Sequence, residues 1–197
     1  MHSAPCTEPA NCATLENTIV IFDAKQIDAA LSPLIGLPLW NSHRAADLQT
    51  FGFGEPHRRT IRFGPRKGEE GEVHEYALHI QCAWRICGPT GIVVGSNDFN
   101  HRSGPDPFDT PDDWNRDVAN ANRRDQQIRA WLAGVPYVVE RASADVVGGF
   151  SMAFARGFTL DVFPDDSLDG EYSEHWRLLR PGDTSSHFVV SGSGISD

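Results

Sequence analysis

Residues 76–86 read YALHIQCAWRI, an alternation of bulky apolar side chains with smaller or more polar ones. In an extended chain successive side chains point to opposite faces. Tyr76, Leu78, Ile80, Cys82, Trp84 and Ile86 then share one face, and Ala77, His79, Gln81, Ala83 and Arg85 share the other. The period of two predicts one strand whose bulky row is buried. It also poses a question about the reverse row, which either meets water or lines a site.

Further strands follow from the same reasoning. The turn sequence GPTG (88–91) leads into TGIVVGSND (90–98), so residues 76–98 are expected to form an antiparallel hairpin. Around Ala155-Arg156-Gly157, Phe150, Met152 and Phe154 face Phe158, Leu160 and Val162 in a second hairpin pattern. HWRLLRP and SHFVVSG form a third pair, turned by Pro181-Gly182-Asp183. Strands are also expected at 17–23, within 37–55 and around Thr60–Phe63, the last followed by an exposed loop.

Two segments carry a helical period. AKQIDAALSPLIG (24–36) predicts a short helix ended near Pro33, with Ile27, Ala30 and Leu31 on one side. A longer helix is expected over 111–134, capped by Thr110, with Trp114, Val118, Ala121, Ile128, Trp131 and Leu132 along one face and Gly134 closing it. The fold class is therefore α+β, with roughly seven to nine antiparallel strands and one or two packed helices.

The chain has 197 residues, enough for one domain with a substantial core. Residues 1–16 read as a flexible arm and 17–197 as the domain. The arm lacks a basic region followed by a greasy one, and no apolar run reaches membrane-spanning length, so a cytoplasmic location is expected. Against 27 acidic residues stand 17 Lys and Arg, a formal charge of -10. Such a surface repels phosphate backbones and suits a basic protein partner, so neither nucleic acid nor membrane is the expected partner. Cys6, Cys12, Cys82 and Cys87 lack zinc-knuckle spacing and read as free thiols.

Three constellations stand out. His79, Gln81 and Arg85 share a strand face, where Arg85 could hold a carboxylate by paired hydrogen bonds. The loop 99–113 and the residues before it gather Asp98, Asn100, His101, Asp106, Asp109, Asp112 and Asp113. Its spacing does not match a calcium loop, and no metal or other cofactor is expected. Asp98 and His101 join the strand residues as a candidate ligand site. The third constellation is DVFPDDSLDGEYSEHWRL, where Asp165, Asp166 and Glu174 accompany Tyr172 and Trp176. Acids interleaved with aromatics suit a surface for a basic protein. No nucleophile elbow, HxH or HExxH pattern occurs, so no catalytic residue is assigned.

The order LHIQCAWRI, VVGSND, then GFTLDVFPD, SEHWRLL and HFVVSG resembles small, mostly uncharacterised bacterial proteins over residues 36–192. The terminal hairpins look like those of immunity proteins that neutralise polymorphic toxins. That resemblance implies a bacterial binding protein that occludes a partner; from the residues themselves, Trp176, Tyr172 or Trp114 are expected to anchor the contact beside the acidic loops. An enzyme or small-ligand binder centred on His79, Arg85, Asp98 and His101 is the alternative. A third reading is a homo-oligomer paired through a sheet edge.

Overall fold

The computed structural model describes residues 20–60, 67–106, 108–109, 111–133, 136–168, 173–183 and 187–197. It is α+β, mostly antiparallel sheet with two short helices. The strands are β1 (Pro38–Ala45), β2 (Leu48–Phe53), β3 (His57–Thr60), β4 (Glu70–Val73), β5 (Tyr76–Ile80), β6 (Ala83–Gly88) and β7 (Gly91–Gly95). After a long connection come β8 (Tyr137–Ala144), β9 (Phe150–Phe154), β10 (Phe158–Phe163), β11 (Glu174–Leu179), β12 (Phe188–Ser191) and β13 (Gly194–Ser196). The helices are α1 (Ala24–Leu31) and α2 (Arg123–Leu132).

Eleven strands join in the order β13-β12-β11-β5-β2-β1-β8-β9-β10-β6-β7, and β3 and β4 pair separately. The middle link is slight: β1 meets β8 only at Pro38 with Val138 and Leu39 with Tyr137. The sheet therefore has two halves, and they face each other. Phe51 of β2 meets Trp84 of β6 edge to face at 5.5 Å, and Phe150 of β9 meets Trp176 of β11 at 5.0 Å. The core lies between the halves, with Phe53, Leu78, Ile80, Met152, Leu160 and Val190 among its fully enclosed members.

The single strand expected over 76–86 is two. The chain breaks its ladder at Gln81 and Cys82, whose N–H groups both donate to the carbonyl of His175 at 2.8 and 3.1 Å. β5 belongs to one half and β6 to the other. The bulky row nevertheless stays inward on both sides of the break: Tyr76, Leu78, Ile80, Cys82, Trp84 and Ile86 are all buried. The three expected hairpins form. Phe154, Met152 and Phe150 lie opposite Phe158, Leu160 and Val162, as the alternation predicts.

Other expectations need correction. Residues 20–23 join no strand; Phe22 instead inserts into the core and its N–H donates to the Val146 carbonyl at 3.0 Å. The segment after Phe63, expected as an exposed loop, contains β4, paired to β3. The long helix begins at Arg123, not at Pro111. Asn and Asp side chains compete with the backbone in WNRDVANAN: the Asn115 side chain accepts from the Asp117 N–H at 2.9 Å. Asn122, in an extended conformation, then caps the helix by accepting from the Asp125 N–H at 2.9 Å. Trp114 and Val118 therefore lie outside α2. Thr110, Gly134, Cys6 and Cys12 fall outside the described residues, as does the end of the strand expected over Thr60–Phe63. No helix among the described residues is long and apolar enough to cross a membrane.

Candidate functional site

The five residues expected to share a ligand site do not gather: the break after Ile80 sends His79 and Arg85 to different halves, and only Asp98 and His101 lie together, the His101 N–H donating to the Asp98 carbonyl at 3.3 Å. On the outside of the first half, His79 stands in register between Thr50 and Arg177. Arg177 donates to both carboxylate oxygens of Glu174, through Nε at 2.6 Å and through its Nη2. The third guanidinium nitrogen, Nη1, lies 3.3 Å from Nδ1 of His187. Burial holds the His79 imidazole below its ordinary value; the Arg177 charge adds to that, Glu174 opposes it and His187 adds slightly.

On the outside of the second half, Arg85 lies opposite Gly95 on one side and Asp161 on the other. Its Nε donates to Asp161 at 3.1 Å, and Ser151 donates to the other oxygen of that carboxylate at 2.8 Å. The Arg85 guanidinium also lies 5.7 Å from the Phe163 ring centre. Arg85 thus already holds a carboxylate of its own chain. Gln81 is exposed at the crossing between the halves. Asp98 accepts the Gly95 N–H at 2.9 Å and sits 3.3 Å from Arg123, while the His101 ring packs edge-on to Phe108. Among the described residues no three His, Cys, Asp or Glu side chains converge as a metal site.

Two acidic segments leave the sheet from one end of β6. β10 ends at Phe163 opposite Ala83, and β7 ends at Gly95 opposite Arg85. Both following segments therefore leave from the end of β6 at which that strand begins. Asp165 accepts the Ala83 N–H at 3.1 Å, and Ser96 accepts the Trp84 N–H at 3.3 Å. Consecutive amides of one strand thus anchor the two departures. Asp106, Asp112, Asp113, Asp165 and Asp166 are exposed, and each segment carries a large apolar side chain in solvent: Phe108 at 81% and Leu168 at 70% exposure. The 164–168 segment lies hard against the β12–β13 turn, where a Cβ on Gly192 would sit 1.7 Å from the Leu168 carbonyl oxygen.

Two expected partner contacts change. Trp176 is fully buried and its indole donates to the Gly148 carbonyl at 2.8 Å, so it offers no surface to a partner. Its place in an alternating strand aims it inward despite its acidic neighbours. Glu174 is mostly enclosed and occupied by Arg177. Tyr172 lies outside the described residues. The Cys82 thiol is unsuited to nucleophilic work: burial first, with the charges of Asp165 and Asp166 adding to it, pushes it up to about 12.

Sequence reasoning missed a cavity of about 790 Å³ between the end of β1 and α2. On the inner face, Leu39, Phe51 and Phe53 give way to Ser42, Arg44 and Gln49 toward this end. Arg44 donates through Nε to both oxygens of Asp125, at 2.8 and 2.9 Å, and both side chains are only 13% exposed. Its Nη2 reaches the carbonyls of Arg116, Asp117 and Val118. Arg44, Arg116 and Arg124 all pack over the Phe99 ring, at 5.1, 5.0 and 4.4 Å. Burial lowers Arg124 to about 10, which Asp125 and Asp47 oppose. The only hint in the sequence was an isolated Gln49 among strand residues that otherwise alternate toward the core. No protein-family model, no curated protein and no solved structure matches this chain.

Proposed function

We propose that the chain is a binding protein whose acidic end engages a basic protein partner and, in the manner of an immunity protein, occludes that partner's functional surface. The observation that carries this reading is the anchoring of both acidic segments to Ala83 and Trp84. Both segments start from the same end of β6, and each carries exposed carboxylates and an exposed apolar side chain. Carboxylates speed encounter with a basic surface, and Phe108 and Leu168 supply area that gains from desolvation. A cytoplasmic setting accords with Cys82 and Cys87 as free thiols.

A charge variant tests this. Asp165→Asn and Asp166→Asn keep the acceptor oxygens that Ala83 and Leu168 use while removing charge; Asp112→Lys and Asp113→Lys complete it. Cross-linking of the intact chain in a lysate of its source is expected to join a basic protein to residues 98–113 or 164–168. The variant should associate with that protein roughly tenfold more slowly, with a weaker salt dependence. Cross-links that map elsewhere, or equal recovery by both chains, would overturn the reading.

A further inference from the structure

The cavity beside α2 runs along an unfinished edge of the sheet. Trp40, Asn41, Ser42, His43 and Arg44 line it in unbroken succession. A strand shows alternate residues on a face, so a consecutive run marks its edge. β1 pairs with β2 along its length, but with β8 only at Pro38 and Leu39. Past the bulge at Trp40 its other edge has no strand beside it among the described residues. Neighbouring pairs of an antiparallel ladder alternate between exchanging both hydrogen bonds and exchanging none. The Gln49 side chain of β2 reaches the His43 carbonyl at 3.0 Å, so that carbonyl points toward β2. His43 therefore belongs to a bonded pair with Thr50, and Ser42 and Arg44 turn their N–H and C=O groups the other way, toward the cavity. No backbone group among the described residues pairs with them there. Donors and acceptors at this spacing are what a missing strand would meet.

The helix α2 forms the opposite wall. Near its start Asp125 holds Arg44, and its end leads to Tyr137, which lies opposite Leu39. The helix therefore runs beside the open edge, from the Arg44 end to the Trp40 end. That edge is about 13 Å long from Trp40 to Arg44, and α2 covers about 10 Å from Asp125 to Leu132. A slot of this length between an edge and a helix admits one extended segment of about four residues and excludes the broad flank of a second sheet. Ile128 and Leu132 give its helix wall an apolar surface. Its charges balance: Arg44 is neutralised by Asp125, and the exposed Arg129 and Asp117 are of opposite sign. An extended backbone satisfies the edge, an apolar side chain satisfies the helix, and no net charge is called for. Strand addition to an exposed sheet edge is a recurring mode of peptide recognition, with affinity from main-chain bonds and specificity from alternate side chains.

We infer that the open edge of β1 takes up an extended, uncharged peptide segment of another protein as an added strand, with an apolar side chain of that segment against Ile128 and Leu132. The inference does not depend on the acidic end. A displayed library of short random peptides, selected on the intact chain, supplies the probe, and an enriched sequence is then made with both ends capped. It is expected to shift the Ser42 and Arg44 amides in nitrogen-15 NMR and to slow their exchange with solvent hydrogen. Methylating its backbone nitrogens one at a time should weaken binding about tenfold at alternate positions and little at those between. Added salt should leave its affinity unchanged, unlike association at the acidic end. Selection of no sequence, or of peptides that leave the Ser42 and Arg44 amides untouched, overturns the inference. Slow exchange of these amides in the free chain overturns it too: slow at every concentration, the slot is filled by the chain itself; slowing as concentration rises, it is filled by a second copy.

Discussion

At His79 an imidazole is held half-buried on the outer face of β5, with Arg177 beside it in register and Glu174 and His187 close by. Burial first, and the Arg177 charge second, make its protonation harder in the folded chain than in the unfolded one. As pH falls below the ordinary value of 6.5, the unfolded chain takes up the proton first, so stability drops. The contribution of neutral His79 is complete above that value and is lost as pH approaches its lower folded value. An NMR titration is expected to place the His79 midpoint below 6.5, and His79→Gln should flatten the loss of stability between about pH 7 and pH 5. A midpoint at or above the ordinary value would contradict the assignment. The residue scale is also where sequence is least informative about use. Arg85 reads as a free guanidinium on a strand face, yet Asp161, distant in sequence, already fills it.

Among the elements, α2 and the loop before it form a unit tied to the β1–β2 turn by Arg44 and Asp125. Asp125 caps nothing alone: it accepts from Arg44 and from the Asn120 N–H at 3.0 Å, while Arg44 grips the carbonyls of 116–118. Both side chains are largely enclosed, so removing one leaves the other charged and uncompensated. Asp125→Ala is expected to lower the unfolding free energy by about 3 kcal/mol, read from the denaturant midpoint, and to open 115–122 to proteolysis. A loss below about 1 kcal/mol would mean that the pair behaves as an exposed one. The core of this helix was legible, since Ile128 and Trp131 fall at helical spacing and both are buried. Its start was not. Trp114, Val118 and Ala121 happen to continue the spacing, and only side-chain competition from Asn and Asp distinguishes the turns from a helix. The cavity beside α2 was equally hidden, because β1 and α2 are brought together by folding and not by proximity in the chain.

For the molecule as a whole, what was legible is what neighbours in sequence decide. Alternation and turn residues specify the β6–β7, β9–β10 and β11–β12 hairpins. The pairings of β5 with β11 and of β6 with β10 join strands far apart in sequence, and no local pattern announces them. They follow from the need to cover both flanks of 76–88, a stretch whose inner row is too apolar to be left in water. Since β5 is paired on both sides in one half and β6 on both sides in the other, those amides of Leu78, Ile80 and Ile86 that lie in the ladders should exchange with solvent hydrogen through one shared opening. Exchange of β6 at a clearly lower free energy than β5 would show that the halves part independently. A single thread laced through both walls leaves this molecule without a seam. A nick at Gln81 would unlace the two walls together, whereas one at the exposed Pro89–Thr90 tip would spare the lacing, and that tip is the better place to graft a foreign peptide.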